Sequence, residues 1–263
     1  MSNLMRDPCT SISPRSDWNR HLIGSVLPVD MVTLNERREM YALLRAYFSG
    51  TTRGRFEADL REKEHVILLR DAGSGRVHGF STFVRMAIEF DGTRVVAFFS
   101  GDTIVERDYW GETVLSRIWG QTIVDEAERV RAQQPDTQVY WFLICSGYKT
   151  WRFLPVFFRD FYPNPEATTP PRVKRVIDAL GTAKFGDEYL PEEGIVRFRQ
   201  ATPLRRGVAE ITDGRLRDPR IAFFVQKNPG HAGGDELACL AELSRANLTR
   251  AALRMLANPR EPA

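Results

Sequence analysis

Apolar side chains recur along this chain in two rhythms, and the change from one to the other marks its organisation. Over residues 33–48 the apolar positions Leu34, Met40, Tyr41, Leu44 and Phe48 fall on one helical stripe, with Thr33 or Asn35 as cap and Ser49-Gly50 as stop. Residues 53–63 are polar apart from Phe56 and Leu60, whose four-residue spacing gives a second helix one line of contact. The rhythm then becomes that of strands. Residues 65–70 are a short apolar run, Asp71 to Gly75 a turn, and 77–90 a longer strand; Asp91-Gly92 is a two-residue hairpin signal leading into 95–105. Two helices followed by a three-strand antiparallel meander are expected.

Residues 111–131 return to the helical period, with Val114, Leu115, Ile118, Trp119, Thr122 and Ile123 inward, and 139–145 are apolar throughout, as in a strand covered on both faces. Strand, helix and parallel strand make a right-handed crossover. The aromatic stretch 148–162 reads as a further helix, started or kinked at Pro155, and the prolines at 163, 165, 170 and 171 form a boundary loop. Beyond it the pattern gives a helix over 172–180, strands over 194–198 and 221–225, a glycine-rich turn over 228–234 and a helical region over 235–255. Residues 1–30, with Pro14 and Pro28 and no sustained period, read as an arm. The expected division is an arm over 1–30, a core over 31–165 and an α/β extension over 166–263 covering one side of the site.

Composition narrows the classes. The 263 residues are 43% hydrophobic and 27% charged with a net charge of +3, which excludes a disordered or fibrous chain, and no basic tract calls for nucleic acid. Cys9, Cys145 and Cys239 share no short spacing, and His21, His65, His78 and His231 have no ligand spacing, so neither a disulfide framework nor a metal site is expected. No leader and no membrane-spanning stretch is legible. A cytoplasmic protein is expected, with peripheral membrane contact left open.

The chemistry is sought first where the strand of 95–105 breaks into a polar turn before the next helix, because such a turn offers unpaired N–H groups and the positive helix end to an anion. The order of elements over roughly 33–163, and the local sequence Val105-Glu-Arg-Asp-Tyr-Trp-Gly111, resemble the GNAT acyltransferase superfamily and its Val-x-Pro-x-Tyr-Arg-Gly approach to a pyrophosphate loop. Gly111 conforms. Trp110, Thr113 and Leu115 stand where the family has Arg or Gln, Gly, and Gly or Ala, and side chains at Thr113 and Leu115 crowd a close phosphate approach.

The resemblance implies a mixed, mostly antiparallel sheet flanked by helices. It also implies transfer of an acyl group from a thioester to a small-molecule amine, with Val105, Tyr109, Trp110, Gly111, Glu112 and Thr113 holding the donor's phosphorylated tether. The degenerate loop leaves open an acyl-phosphopantetheine on an acyl carrier protein, as in N-acyl amino acid synthases and acyl-homoserine-lactone synthases, an acyl-CoA in a relaxed geometry, or neither. The aromatic lining points to a chain longer than acetyl. A non-catalytic GNAT-like module that binds a ligand or partner is the alternative.

Acyl transfer needs a base for the amine and a proton for the departing thiolate. Asp102, a carboxylate in an apolar strand beside a bulge-forming Gly101, is either that base or a turn-bonded acid. Glu89 is a second candidate or a solvated hairpin end. The family's acidic Tyr is replaced by Phe157 or Phe158, which leaves Tyr148, just past the strand of 139–145, as acid or packing group. Trp151 and His231 are the substrate-binding candidates, with a tight turn before a capped helix as the other reading of His231. Cys145 reads as a small buried hydrophobe.

Overall fold

The computed structural model describes residues 21–257. Thr33 starts the first helix, α1 (Leu34–Tyr47), through a reciprocal capping box: Glu36 N donates to Thr33 Oγ1 at 3.2 Å and Thr33 N to Glu36 Oε2 at 2.8 Å. The buried stripe of α1 is Met40, Leu44 and Tyr47, while Leu34 is 69% exposed. Phe48 leaves the helix in extended conformation, so it is not part of the stripe. The second helix, α2 (Arg53–Arg61), buries Phe56 and Leu60 as the spacing requires.

The meander follows as β2 (His65–Asp71), β3 (Val77–Phe90) and β4 (Thr93–Val105), antiparallel in sequence order. Asp91 and Gly92 close the β3–β4 hairpin with φ of 48° and 70°, the left-handed pair that a two-residue turn demands. A strand precedes α1. Residues 22–28, expected as part of an arm, form β1 (Leu22–Pro28), paired antiparallel with β2 along its whole length. Only Leu22 of this edge strand is fully buried on the sheet, which explains its weak sequence pattern. Residues 1–20 of the expected arm lie outside the described residues.

The crossover helix is α3 (Val114–Gln133), starting three residues later than expected, after a single 3-10 turn over Arg107–Tyr109. It delivers the chain to β5 (Gln138–Cys145), which lies parallel to β4. The aromatic stretch forms two short helices, α4 (Tyr148–Trp151) and α5 (Phe153–Phe157), and then β6 (Phe161–Tyr162). α6 (Pro171–Phe185) begins with proline in its first turn, and β7 (Tyr189–Leu190) and β8 (Ile195–Val196) follow as a small hairpin.

Two expectations fail in the last third. Residues 221–225 belong to a helix, α7 (Pro219–Lys227): Asp218 caps it, accepting from Arg220 N at 2.9 Å, and Ile221 and Phe224 are its buried pair. Residues 236–242, expected as helix, form β9 (Glu236–Glu242); the helical part is α8 (Arg250–Ala257). Alanine-rich as it is, β9 fills the slot between β5 and β8, and burial of residues 237–241 on both faces outweighs helix propensity.

The sheet runs β1-β2-β3-β4-β5-β9-β8-β7, with β6 also pairing β9, and every pair except β4–β5 is antiparallel. The fold is therefore α/β, a mixed and mostly antiparallel sheet flanked by helices. One face carries α3, α4, α5, α7 and α8 around Phe98, Trp141 and Trp151. The opposite face carries two separate clusters, one under α1 and α2 (Met40, Phe56, Phe80) and one under α6 (Phe99, Phe142, Leu180). Among the described residues no helix is long and apolar enough to cross a membrane.

Candidate functional site

β4 and β5 pair from Val95–Gln138 to Ser100–Leu143 and then part, although β4 runs on to Val105 and β5 to Cys145. The last link across them is Trp141 Nε1 donating to Ser100 Oγ at 2.8 Å. Beyond it β4 stays with β3, through Ser81–Thr103, Phe80–Ile104 and Gly79–Val105. Two residues of β4, Gly101 and Asp102, oppose the single Thr82 of β3, so the bulge anticipated at Gly101 is present. Glycine is needed there: a Cβ would stand 2.5 Å from Lys63 Cε and 2.6 Å from Thr82 Oγ1.

The parted strands open onto a cavity of about 740 Å³ between the two clusters of that face. Gly101 to Val105 line it, with Tyr47 and Phe48 at the end of α1, Arg55 and Asp59 on α2, and Phe99 and Phe185 at the far end. Its mouth is formed by Trp110, Gly111 and Glu112 and by Leu115 and Ser116 in the first turn of α3.

Of the expected tether residues, Val105, Tyr109, Trp110, Gly111 and Glu112 line the cavity and Thr113 does not. The turn uses its own amides: Tyr109 N donates to Glu106 O at 2.9 Å, Trp110 N to Arg107 O at 3.1 Å and Glu112 N to Tyr109 O at 3.2 Å. Gly111, at φ of 118°, bends the chain toward the helix. The first intrahelical bond of α3 runs from Arg117 N to Thr113 O at 2.9 Å, so the N–H groups of Val114, Leu115 and Ser116 have no acceptor within the helix. The amides left without an intrahelical acceptor therefore lie at the start of α3, a few residues beyond the turn over Tyr109 to Glu112.

Asp102 lines the cavity, half-buried, and Glu236 at the head of β9 lines it too. Burial pushes the Asp102 carboxyl up to about 7, the charge of Asp59 adds to this, and Lys63 and Arg55 oppose it. Glu236 is likewise raised to about 7 by burial, against a hydrogen bond from Ser146, and then by the charges of Asp102 and Asp59. Among the described residues neither carboxylate has an ion-pair partner, whereas Lys63 is held by Asp59 at 2.6 Å and Lys184 by Glu62 at 2.6 Å. A cavity holding two such carboxylates beside an open strand edge can accept a proton from a bound amine.

The other candidates lie elsewhere. Glu89 is exposed near the hairpin end, in register with Arg94. Tyr148 is 3% exposed, packed in the main core with Arg215 over its ring, and does not line the cavity. Trp151 is wholly buried against Phe161, Phe223 and Phe224. His231 binds Asn228 O through Nδ1 at 2.9 Å and packs edge-on to Phe224, in a tight turn that leads into β9 and not into the capped helix expected. Cys145 is buried, and burial together with the Cys239 thiol pushes its thiol well above the usual range. Glu236, Arg55, Asp59 and Lys63 are among the cavity residues that sequence reasoning did not select; an acid heading the uninterrupted apolar run 237–241 was the available signal for the first.

No protein-family model matches this chain, and neither does any curated protein. Solved structures do show likeness. A probable N-acyltransferase from Enterococcus faecalis V583 is similar at 17% identity and a TM-score of 0.40 over 53% of this chain, which spans only 33% of that protein's length. A GNAT family N-acetyltransferase from Escherichia coli, solved in complex with CoA, is similar at 18% identity over 53% of this chain and 71% of its own, with a TM-score of 0.35. An N-acetylglutamate synthase from Neisseria gonorrhoeae, complexed with coenzyme A and N-acetyl-glutamate, is similar at 14% identity over 60% of this chain and 33% of its own, with a TM-score of 0.36.

Proposed function

We propose that this protein is an N-acyltransferase that moves an acyl group from a phosphopantetheine thioester to a small-molecule amine. The observation that carries the proposal is the parting of β4 from β5 after Ser100 and Leu143, directly over a cavity with two carboxylates that are in no ion pair among the described residues. Freed strand edges offer N–H and C=O groups to the amides of an extended tether, much as to an added strand. The unbonded amides at the start of α3 suit the tether's phosphate.

With the tether in the gap, the thioester reaches the part of the cavity beside Asp102 and Glu236. Asp102 takes a proton from the acceptor's ammonium, directly or through water, and the freed nitrogen attacks the thioester carbon. Collapse of the tetrahedral intermediate breaks the carbon–sulfur bond, the surplus proton on the attacking nitrogen passes to the departing thiolate, the proton on Asp102 returns to solvent, and amide and thiol leave. Glu236 faces the same space and holds the amine before it is deprotonated. The apolar lining from Leu44, Phe56, Ile104, Phe153 and Leu204 supports an acyl chain longer than acetyl; its bearer in this reading is CoA or an acyl carrier protein, and the compartment the cytoplasm.

Thiol release from acetyl and long-chain donors, on both CoA and carrier protein, across a panel of amines tests the reading. Asp102→Asn is expected to abolish release while leaving the fold and donor binding intact. The internal use of the Tyr109, Trp110 and Glu112 amides favours a second reading, a GNAT-like module that binds without turnover. That reading requires a parent protein that binds CoA yet releases no thiol from any donor.

A further inference from the structure

Between β8 and α7, residues 200–211 cross the cavity as a strap that is neither helix nor strand apart from one bridge at Leu204. Its Thr202, Leu204, Val208 and Ala209 line the cavity. A Cβ placed on Gly147 would stand 2.9 Å from Leu204 Cδ1 and 3.2 Å from Ala209 Cβ, so the strap lies against the chain just past the end of β5, beside the gap.

The two flanks of the strap are held differently. On the α1 side a backbone ladder holds it, Ser49 N donating to Pro203 O at 2.9 Å, Arg205 N to Tyr47 O at 2.8 Å and Phe48 bridging Leu204, with Ser49 Oγ and Arg205 Nε adding bonds to Pro203 O at 3.0 Å and Arg45 O at 2.8 Å. Toward the mouth, side-chain cations hold it. Lys149 Nζ donates to Val208 O at 2.6 Å and the Arg107 guanidinium to Gly207 O at 3.0 Å.

The same two cations bracket Trp110 at the mouth, Lys149 Nζ at 3.5 Å and Arg107 Cζ at 5.2 Å from the ring centroid. Among the described residues neither is in an ion pair with a carboxylate, and burial, followed by the charge of Arg107, depresses the Lys149 pKa. Two neighbouring cations thus point at neutral carbonyls. A phosphate oxygen is the stronger acceptor, since hydrogen bonds with both partners charged are roughly twice as strong as neutral ones.

We propose that Lys149 and Arg107 are a phosphate-operated latch: they fasten the strap beside the β4–β5 gap, and a phosphorylated donor frees that flank by taking both cations for itself. The donor's identity rests on the acyltransferase reading; the fastening rests on the two contacts alone. Arg205 and Arg206 are exposed on the strap, which makes its opening readable by trypsin.

The experiment is limited trypsinolysis of the full chain, with cleavage after Arg205 and Arg206 followed by mass spectrometry. Coenzyme A and inorganic pyrophosphate are the probes, and their binding is measured separately by calorimetry. Lys149→Met and Arg107→Gln are each expected to speed strap cleavage by about tenfold, the effect of losing one hydrogen bond from a charged donor, with cleavage elsewhere unchanged. Saturating coenzyme A, which takes both cations, is expected to speed strap cleavage in the parent at least as much as either single variant does. Variants cleaved at the parent's rate overturn the latch, and a parent that binds coenzyme A with unchanged strap cleavage overturns its release. If neither probe binds, the donor reading and the release step fail together, while the variants' rates still decide the fastening.

Discussion

At the scale of single residues the proposed site turns on two carboxylates whose environments leave them only partly ionised at neutrality. Asp102, raised from 3.8 to about 7, acts as a base only once ionised, so kcat/KM is expected to climb with pH through about 7 and to level off above it. A profile flat from pH 5 to 9 rules Asp102 out as the base. Asp102→Asn removes one of the charges that raise Glu236, and the apparent pKa of Glu236, followed by NMR, is expected to fall. Stability carries the opposite sign. Between about 4 and 7 the folded state binds a proton at Asp102 that the unfolded chain has released, so stability falls as pH rises through that window. Chemical denaturation of Asp102→Asn is expected to show a shallower fall than the parent. Asp102 was legible because a carboxylate beside glycine in an apolar strand is anomalous by itself. Glu236 was not, because its place beside Ser146 depends on a strand pairing almost a hundred residues distant in sequence.

At the scale of elements, legibility followed the source of the stabilising contacts. The cap of α1 is local, and its Thr33–Glu36 pair is written within four residues. Thr33→Ala is expected to cost about 1 kcal/mol in urea denaturation, and an unchanged midpoint would mean that the capping box contributes nothing. α7 was misread because Ile221 to Val225 is rich in strand formers; the local signal that overrides them is Asp218-Pro219, an N-cap followed by proline. β9 had no such signal. Leu240 is fully buried between the sheet and α6, and Leu240→Ala is expected to cost about 2–5 kcal/mol, a penalty an exposed helical position would not produce. The shortened first turn of α3 is also a tertiary result: Gly111 turns the chain, and the helix starts only where its first amides meet the cavity mouth.

At the scale of the molecule, the division expected after residue 165 does not follow the sheet. β9, from the last third of the chain, pairs with β5 along Tyr140 to Cys145 and with β6 and β8, so it sits inside the sheet. The same segment supplies Val176, Ile177 and Leu180 to one face and Ile221, Phe224 and Leu237 to the other. It also carries Glu236 and the strap, so site and fold depend on it together. A chain ending at residue 165 would leave β5 as a bare apolar edge, with Phe142 and Leu143 uncovered, and such edges recruit other chains. That shortened protein is therefore expected to aggregate, or to melt without cooperativity, in size-exclusion and calorimetric measurements. Co-expression with residues 166–263 as a separate chain is expected to restore a soluble complex, because the β5–β9 ladder needs no covalent link. A monomeric 1–165 with a sharp melting transition would mean that the first two thirds fold alone, and that β9 and its carboxylate are additions to a site already complete.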